Sequence, residues 1–314
     1  MTIPKWEGVY PAMLTPFTKD DNIDFEMFKL NLNAQLAAGI DGVVMGGSLG
    51  EASTLLNEEK IELLQYCKKV MSRPVPAIVN IAEQSTKVAI EAAKDAAANY
   101  ADGLMLLPPM RYKADGRETV EYFRAIAAAT DLPIMIYNNP YDYKIEVTLD
   151  MFEELSKIPA IQAVKESTRD VSNVTRMKNR FGDRFKILCG VDTLALEELA
   201  LGADGWVGGL VDAFPAETVT IYQLMKKGKY REALAIYRWF LPVLELDIHP
   251  KLVQYIKLAA TQTGISSPYV RAPRLMLEGE EKVTVLATID NAIATRPALS
   301  AFTNLINKEH AERV

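Results

Sequence analysis

Short runs of β-branched and aliphatic residues alternate along this chain with longer stretches whose apolar positions recur three and four residues apart. The first kind reads as buried strands, the second as amphipathic helices with one face toward a core. The strand-like runs are Gly8–Leu14, Gly42–Met45, Ala77–Asn80, Gly103–Leu107, Ile134–Tyr137, Ile161–Lys165, Lys186–Cys189 and Gly205–Val207. Between them, helical periodicity marks Phe25–Ala38, Glu58–Met71, Thr86–Ala98, Glu118–Ala129 and Leu194–Leu201. Strands that alternate with helices predict a parallel sheet, and eight such units in about 220 residues fit a closed (β/α)8 TIM barrel, an α/β fold. An open doubly wound sheet is the fallback. Against it, the chain holds no G-x-G-x-x-G or Walker sequence, and Gly46-Gly47-Ser48-Leu49-Gly50 lacks both the third-glycine spacing and a closing lysine. From Val219 to Ala294 only helical periodicity remains, as in Tyr230–Leu244 and Lys251–Thr261. The expected organisation is a barrel over residues 1–225 and a C-terminal helical extension over residues 226–314. The extension is expected to pack on the barrel, because no low-complexity linker separates the two. The polar end, Asn307–Val314, is expected to fray.

Composition narrows the function classes. With 49% hydrophobic and 24% charged residues in 314, the chain is an ordinary globular protein. Its net charge of −6 repels phosphate backbones and no local basic patch offsets it, so nucleic acid is not an expected partner. The longest apolar runs are strand-length, so no membrane association is expected. Met1–Met13 carries no apolar export core, which points to the cytoplasm. Cys67, Cys189, His249 and His310 lie far apart without metal-ligand spacing. No metal is expected, and both cysteines read as buried, reduced small hydrophobes.

In a barrel of this kind the chemistry sits where strands end. Lys165 closes an apolar run, which would carry its amine to the barrel mouth, where desolvation lowers the pKa and makes the amine a nucleophile for carbonyl carbon. The competing reading is a lysine that snorkels past the rim or pairs with Glu166. Tyr137 ends the neighbouring run and is either a proton donor and acceptor or a hydrogen-bonded core residue. The glycines around Ser48 admit backbone N–H groups to an anion such as a substrate carboxylate, or else serve a tight turn. Gly208 and Gly209 open space for substrate or fit a barrel corner. Asp192 and Asp212 read as helix caps rather than magnesium ligands. Tyr237-Arg238-Trp239-Phe240 reads as a packing or subunit-contact face. With both histidines in the C-terminal part, a hydrolase triad is not expected.

Taken in order, Gly47-Ser48-Leu49-Gly50-Glu51, Tyr137-Asn138-Asn139-Pro140 and Val164-Lys165-Glu166-Ser167 resemble the dihydrodipicolinate synthase and N-acetylneuraminate lyase superfamily, over roughly residues 8 to 297. The resemblance implies that Lys165 forms a Schiff base with a small α-keto or imino acid, that Tyr137 shuttles protons, and that Ser48 relays protons and helps bind carboxylate. It implies a cross-subunit tyrosine, for which Tyr112 is the nearest match, and hence a homo-oligomer, dimer or tetramer. Gly47, Leu49, Asn139 and Gly208 complete the expected substrate contacts. No cofactor is implied beyond the covalent lysine imine. Synthases of the superfamily carry an arginine shortly after the strand-five proline that grips a dicarboxylate. Here Tyr141-Asp142-Tyr143 follows, and Leu49 replaces a second hydroxyl residue. The branch it most resembles is Δ1-pyrroline-4-hydroxy-2-carboxylate deaminase, on Leu107-Pro108-Pro109-Met110, Tyr237–Pro242, Lys251–Leu258 and Arg271–Leu275. The implied reaction yields ammonia and 2,5-dioxopentanoate in hydroxyproline breakdown. A 2-keto-3-deoxy sugar acid aldolase or dehydratase, and a non-catalytic ligand-binding barrel, are the alternatives.

Overall fold

The computed structural model describes residues 2–109 and 111–307. Its strands are β1 (Gly8–Pro11), β2 (Val43–Met45), β3 (Ala77–Ile81), β4 (Gly103–Leu106), β5 (Ile134–Asn138), β6 (Ile161–Glu166), β7 (Lys186–Cys189) and β8 (Gly205–Gly208). They form one eight-stranded sheet, with β1 paired to β8 and each later strand paired in parallel to its neighbour down to β2. The ring closes just beyond β1. There the Ala12 N–H still donates to the Gly208 carbonyl of β8 at 2.8 Å, Ala12 bridges Val44, and the Met13 N–H donates to the Val44 carbonyl at 2.9 Å. The first run is therefore strand only to Pro11, short of Leu14. The architecture is a (β/α)8 TIM barrel followed by C-terminal helices.

The two-residue pleat sorts side chains into two cores. Ile134, Ile136, Val164 and Ile187 face outward against the helical ring. Met135, Tyr137, Ala163 and Leu188 belong to the barrel interior. On β6 this alternation is interrupted. Ile134 pairs with Ile161 but Met135 pairs with Ala163, so Gln162 is an extra residue and the register shifts. Its side chain accepts the Trp6 indole N–H at 3.0 Å, which holds the bulge in place. An unbulged β6 would set Val164 beside Tyr137 and Lys165 beside Asn138. With the bulge, Lys165 pairs with Tyr137.

The C-terminal helices pack into the same core as the barrel interior. Tyr230–Leu244 buries Ala233, Ile236, Tyr237, Phe240, Val243 and Leu244 on one face, and all six share a cluster with Trp206 and Val207 of β8. Tyr237 also donates its hydroxyl to the Asp192 carbonyl at 3.0 Å, fastening this helix to the loop after β7. A short 3-10 turn, Glu245–Ile248, brings the chain back over the barrel mouth before the helix Leu252–Gln262 begins. Beyond Asn307, the stretch expected to fray lies outside the described residues, as do His310 and Met110.

Candidate active site

A pocket of about 140 Å³ opens at the strand C-termini, lined by Gly47, Ser48, Leu49, Tyr137, Asn139, Lys165 and residues from later loops. Lys165 is only 6% exposed. Burial lowers its pKa, opposed by the negative charge of Asp247 and smaller pulls from Tyr143 and Asp192. Its amine lies 4.3 Å from the centre of the Tyr137 ring. Glu166, the partner a rim lysine would have used, points away. Its carboxylate accepts the Thr168 N–H and the Asn173 amide, each at 2.7 Å. The room Lys165 occupies exists because residue 190 is glycine. A Cβ there would lie 2.7 Å from Lys165 Cε and 2.2 Å from Ser167 Oγ.

Hydroxyls line the wall beside the amine. The Tyr137 hydroxyl accepts from the Asn139 amide at 3.1 Å, and the Tyr143 hydroxyl makes a close hydrogen bond with Ser48 Oγ. The two phenol rings meet edge to face, 5.6 Å between centres. Burial pushes both phenols above the ordinary tyrosine value, so each stays protonated near neutrality. The neighbouring asparagines divide their labour. Asn138 exchanges two hydrogen bonds with the Val147 backbone, at 3.0 and 2.9 Å, and folds the loop after β5. Asn139 faces the pocket and holds Asp142 at 2.7 Å.

The Ser48 loop is turned tightly, its Gly47 and Ser48 carbonyls accepting the Ala52 and Glu51 N–H groups. Glu51 closes it in a left-handed backbone conformation, φ +59°. That carboxylate is fully buried and reaches into the C-terminal helices. It accepts Lys257 Nζ at 2.5 Å, the Arg271 N–H at 3.1 Å and Arg274 at 3.5 Å. Lys257 also donates to the Tyr269 carbonyl at 2.6 Å. Burial brings this lysine down to about 8, with Glu51 pulling the other way.

A further wall comes from the C-terminal turn, through Asp247, Ile248 and Leu252. Asp247 accepts the Asp192 N–H at 3.3 Å, and burial followed by the Asp192 charge pushes its carboxyl up to about 8. Asp192 itself is saturated with donors: the Trp206 indole at 2.8 Å and the N–H groups of Gly209 and Leu210, the latter at 2.7 Å. It does cap a turn, but the one after β8 rather than its own. Asp212 is buried against the Leu14 N–H at 3.4 Å. At the rim, the Arg169 guanidinium stacks 3.4 Å above the Tyr141 ring.

Six of the eight residues selected from sequence thus line one pocket. Gly208 and Tyr112 do not. The space Gly208 leaves serves the Asp192–Trp206 hydrogen bond, since a Cβ there would come within 3.0 Å of both polar atoms, and it is Gly209 that borders the cavity. Tyr112 is 57% exposed and outside the pocket of its own chain. Tyr143, Gly190 and Asp247 were not selected. Tyr143 stands three residues past the strand-five motif, a position that is a usable signal, whereas nothing in the local pattern marks Asp247. Both cysteines are free and buried, and burial pushes the Cys67 thiol up to about 12.

Residues 5–292 match the model of the dihydrodipicolinate synthetase family. The chain belongs to that family. Among curated relatives, 4-hydroxy-tetrahydrodipicolinate synthase of Exiguobacterium sibiricum is 35% identical over 87% of this chain and 92% of its own length. The enzyme of the same name from Oceanobacillus iheyensis is 32% identical over the same shares. Among solved structures, dihydrodipicolinate synthase of Bacillus anthracis superposes with a TM-score of 0.87 at 29% identity, covering 92% of this chain and 99% of the other. Family members are lyases that work through a lysine Schiff base, and the strand-six lysine of this member is the buried Lys165.

Proposed function

We propose that the protein is a Schiff-base deaminase acting on Δ1-pyrroline-4-hydroxy-2-carboxylate. Lys165 adds to C2 of the cyclic imine and the ring opens, leaving C2 bound to the lysine as a protonated imine and C5 carrying a free amine. The cationic imine acidifies C3. Loss of a C3 proton and of the C4 hydroxyl gives an unsaturated imine, whose rearrangement and hydrolysis release ammonia, 2,5-dioxopentanoate and the free lysine. Net, one water is consumed per ammonia formed. Tyr137, Tyr143 and Ser48 are the hydroxyls that move protons between C3 and solvent. The tight Ser48 turn ties its Gly47 and Ser48 carbonyls to the Ala52 and Glu51 N–H groups further along the chain, and N–H groups of the turn bind the substrate carboxylate. Arg169 at the rim draws the anion in.

The observation that carries this reading is the composition of the wall after β5. Where the synthases carry an arginine for a second carboxylate, Asp142 and Tyr143 line the pocket. A carboxylate at that wall repels a dicarboxylate and accepts a substrate whose far end is neutral or an amine. The pocket, at about 140 Å³, also lies below the roughly 300–1,000 Å³ of drug-sized ligand sites and suits a five-carbon acid.

The test is ammonia release from Δ1-pyrroline-4-hydroxy-2-carboxylate, coupled to a semialdehyde dehydrogenase, with Lys165→Ala as control. Turnover that disappears in the variant is expected, together with little 4-hydroxy-tetrahydrodipicolinate synthesis by the same preparation. No ammonia from the wild type would reject the substrate. Borohydride trapping of Lys165 with a panel of keto acids would then identify the class, and pyruvate release would favour the sugar-acid aldolase.

A further inference from the structure

We propose that Asp247 is the general acid that protonates the departing C4 hydroxyl, an assignment that rests on the imine chemistry given above to Lys165. The carbon bound to the lysine is trigonal, so its carboxylate and its C3 branch leave it about 120° apart. With the carboxylate on the Ser48 loop beyond β2, C3 and C4 are directed to a different wall. The Tyr137, Tyr143 and Ser48 hydroxyls lie on the β5 and β2 sides, whereas Asp247 approaches from above β7 and β8, carried there by the Glu245–Ile248 turn. It is also the acidic side chain with the strongest electrostatic pull on Lys165.

Its surroundings fit a donor. Asp192 beside it is anchored by the Trp206, Gly209 and Leu210 N–H groups, a set that stabilises a carboxylate. Among the described residues, Asp247 receives only the Asp192 N–H, at 3.3 Å, and it feels the charge of that neighbouring acid. The pair therefore holds one of its members in the protonated state, and the member with fewer donors is the one at the cavity. Tyr137 and Tyr143 are poorer acids, since burial has moved both phenols above their usual value while the Asp247 carboxyl sits at about 8. General acids work best near the operating pH.

The step balances without any other reactant. The C3 proton has already left through the hydroxyl relay, forming an enamine. Its electron pair becomes the C3=C4 double bond, the C4–O bond breaks with its electrons on oxygen, and the Asp247 proton completes a water molecule. Asp247 is left as a carboxylate next to the cationic lysine imine, and solvent reprotonates it after product leaves.

The experiment compares wild-type, Asp247→Asn and Asp247→Glu full-length protein on two substrates: the 4-hydroxy compound and its 4-fluoro analogue, in which fluoride departs without a proton. Asp247→Asn is expected to lose about 100-fold or more in kcat on the hydroxy substrate, the low end of a general acid's usual share. It should stay within a few-fold of wild type on the fluoro substrate, and borohydride should still trap pyruvate on Lys165. Asp247→Glu, which retains a carboxyl, should regain part of the lost rate. Equal losses on both substrates, loss of trapping, or an Asn variant as active as wild type would each overturn the assignment. A wild-type enzyme that traps pyruvate but releases no ammonia from either substrate would instead overturn the deaminase reading, and this assignment with it.

Discussion

Replacing Lys257 with methionine tests how the C-terminal helices hold the Ser48 loop. Lys257 and Glu51 are both fully buried and 2.5 Å apart, so the substitution leaves a carboxylate in the interior without its principal cation. Breaking a buried pair in this way costs about 3–5 kcal/mol. The Arg271 N–H at 3.1 Å stays, and Arg274, already 3.5 Å away and partly solvated, still offers weak compensation, which puts the loss near the lower bound, about 3 kcal/mol. For a chain of this length about 2 °C per kcal/mol is appropriate, so the melting midpoint should fall by about 6 °C. Adding Glu51→Gln removes the orphaned charge and should restore at least half of that fall. The assay is thermal melting of the wild type, both single variants and the double at one scan rate, with KM measured alongside. Because Glu51 ends the loop that carries Ser48, KM should rise in Lys257→Met more than kcat falls. A double variant that melts at or below Lys257→Met would refute the argument, since the loss would then not come from the stranded Glu51 charge.

Two further outcomes follow from the same site. Gly190→Ala places a methyl group 2.7 Å from Lys165 Cε, so the amine must shift; kcat should fall about 100-fold while the melting midpoint changes by only a few degrees, measured by steady-state kinetics and calorimetry. The pH profile of kcat/KM should rise as Lys165 loses its proton, below the ordinary lysine range because burial lowers it, and fall again as Asp247 ionises at about 8. The charged groups acting on Asp247 are Asp192, Lys165 and Asp142, and Asp247→Asn should abolish the alkaline limb while leaving the acid one. A profile still falling above pH 8 in that variant would assign the limb to another group.

The barrel was legible because its evidence is local. Buried parallel strands are short apolar runs, and helices such as Phe25–Ala38 and Tyr230–Leu244 show their one-sided periodicity within the segment. Lys165, Tyr137 and Ser48 were legible for a related reason: the fold places chemistry at strand ends, so a polar residue closing an apolar run stands out. Asp247 did not, because it arrives on a turn read as part of a continuous helical stretch, and no strand end points to it. The Glu51–Lys257 pair joins residues 206 positions apart, beyond the reach of any periodic pattern. Asn138 and Asn139 are adjacent and identical in type, and only the three-dimensional course of the chain to Val147 makes one a loop pin and the other a pocket residue. Gly190 is likewise silent in sequence, and Gly208 is marked there only as a glycine at a strand end, since what each leaves room for involves a residue from another strand or loop.

Gln162 changes how this wall of the enzyme can evolve or be redesigned. The single extra residue on β6 means that the position of the nucleophile is encoded by a length as well as by an amino acid. Substitutions on β6 that keep the bulge leave Lys165 opposite Tyr137, and so would deletion of Gln162, which makes the ladder regular; a strand that kept Gln162 but paired without the bulge would bring valine to the phenol and slide the lysine one position along, to the level of Asn138. A lineage can therefore vary its substrate through the loops while the nucleophile stays in place. A designer grafting this strand onto another barrel must keep the extra residue and the bulge together, or drop both.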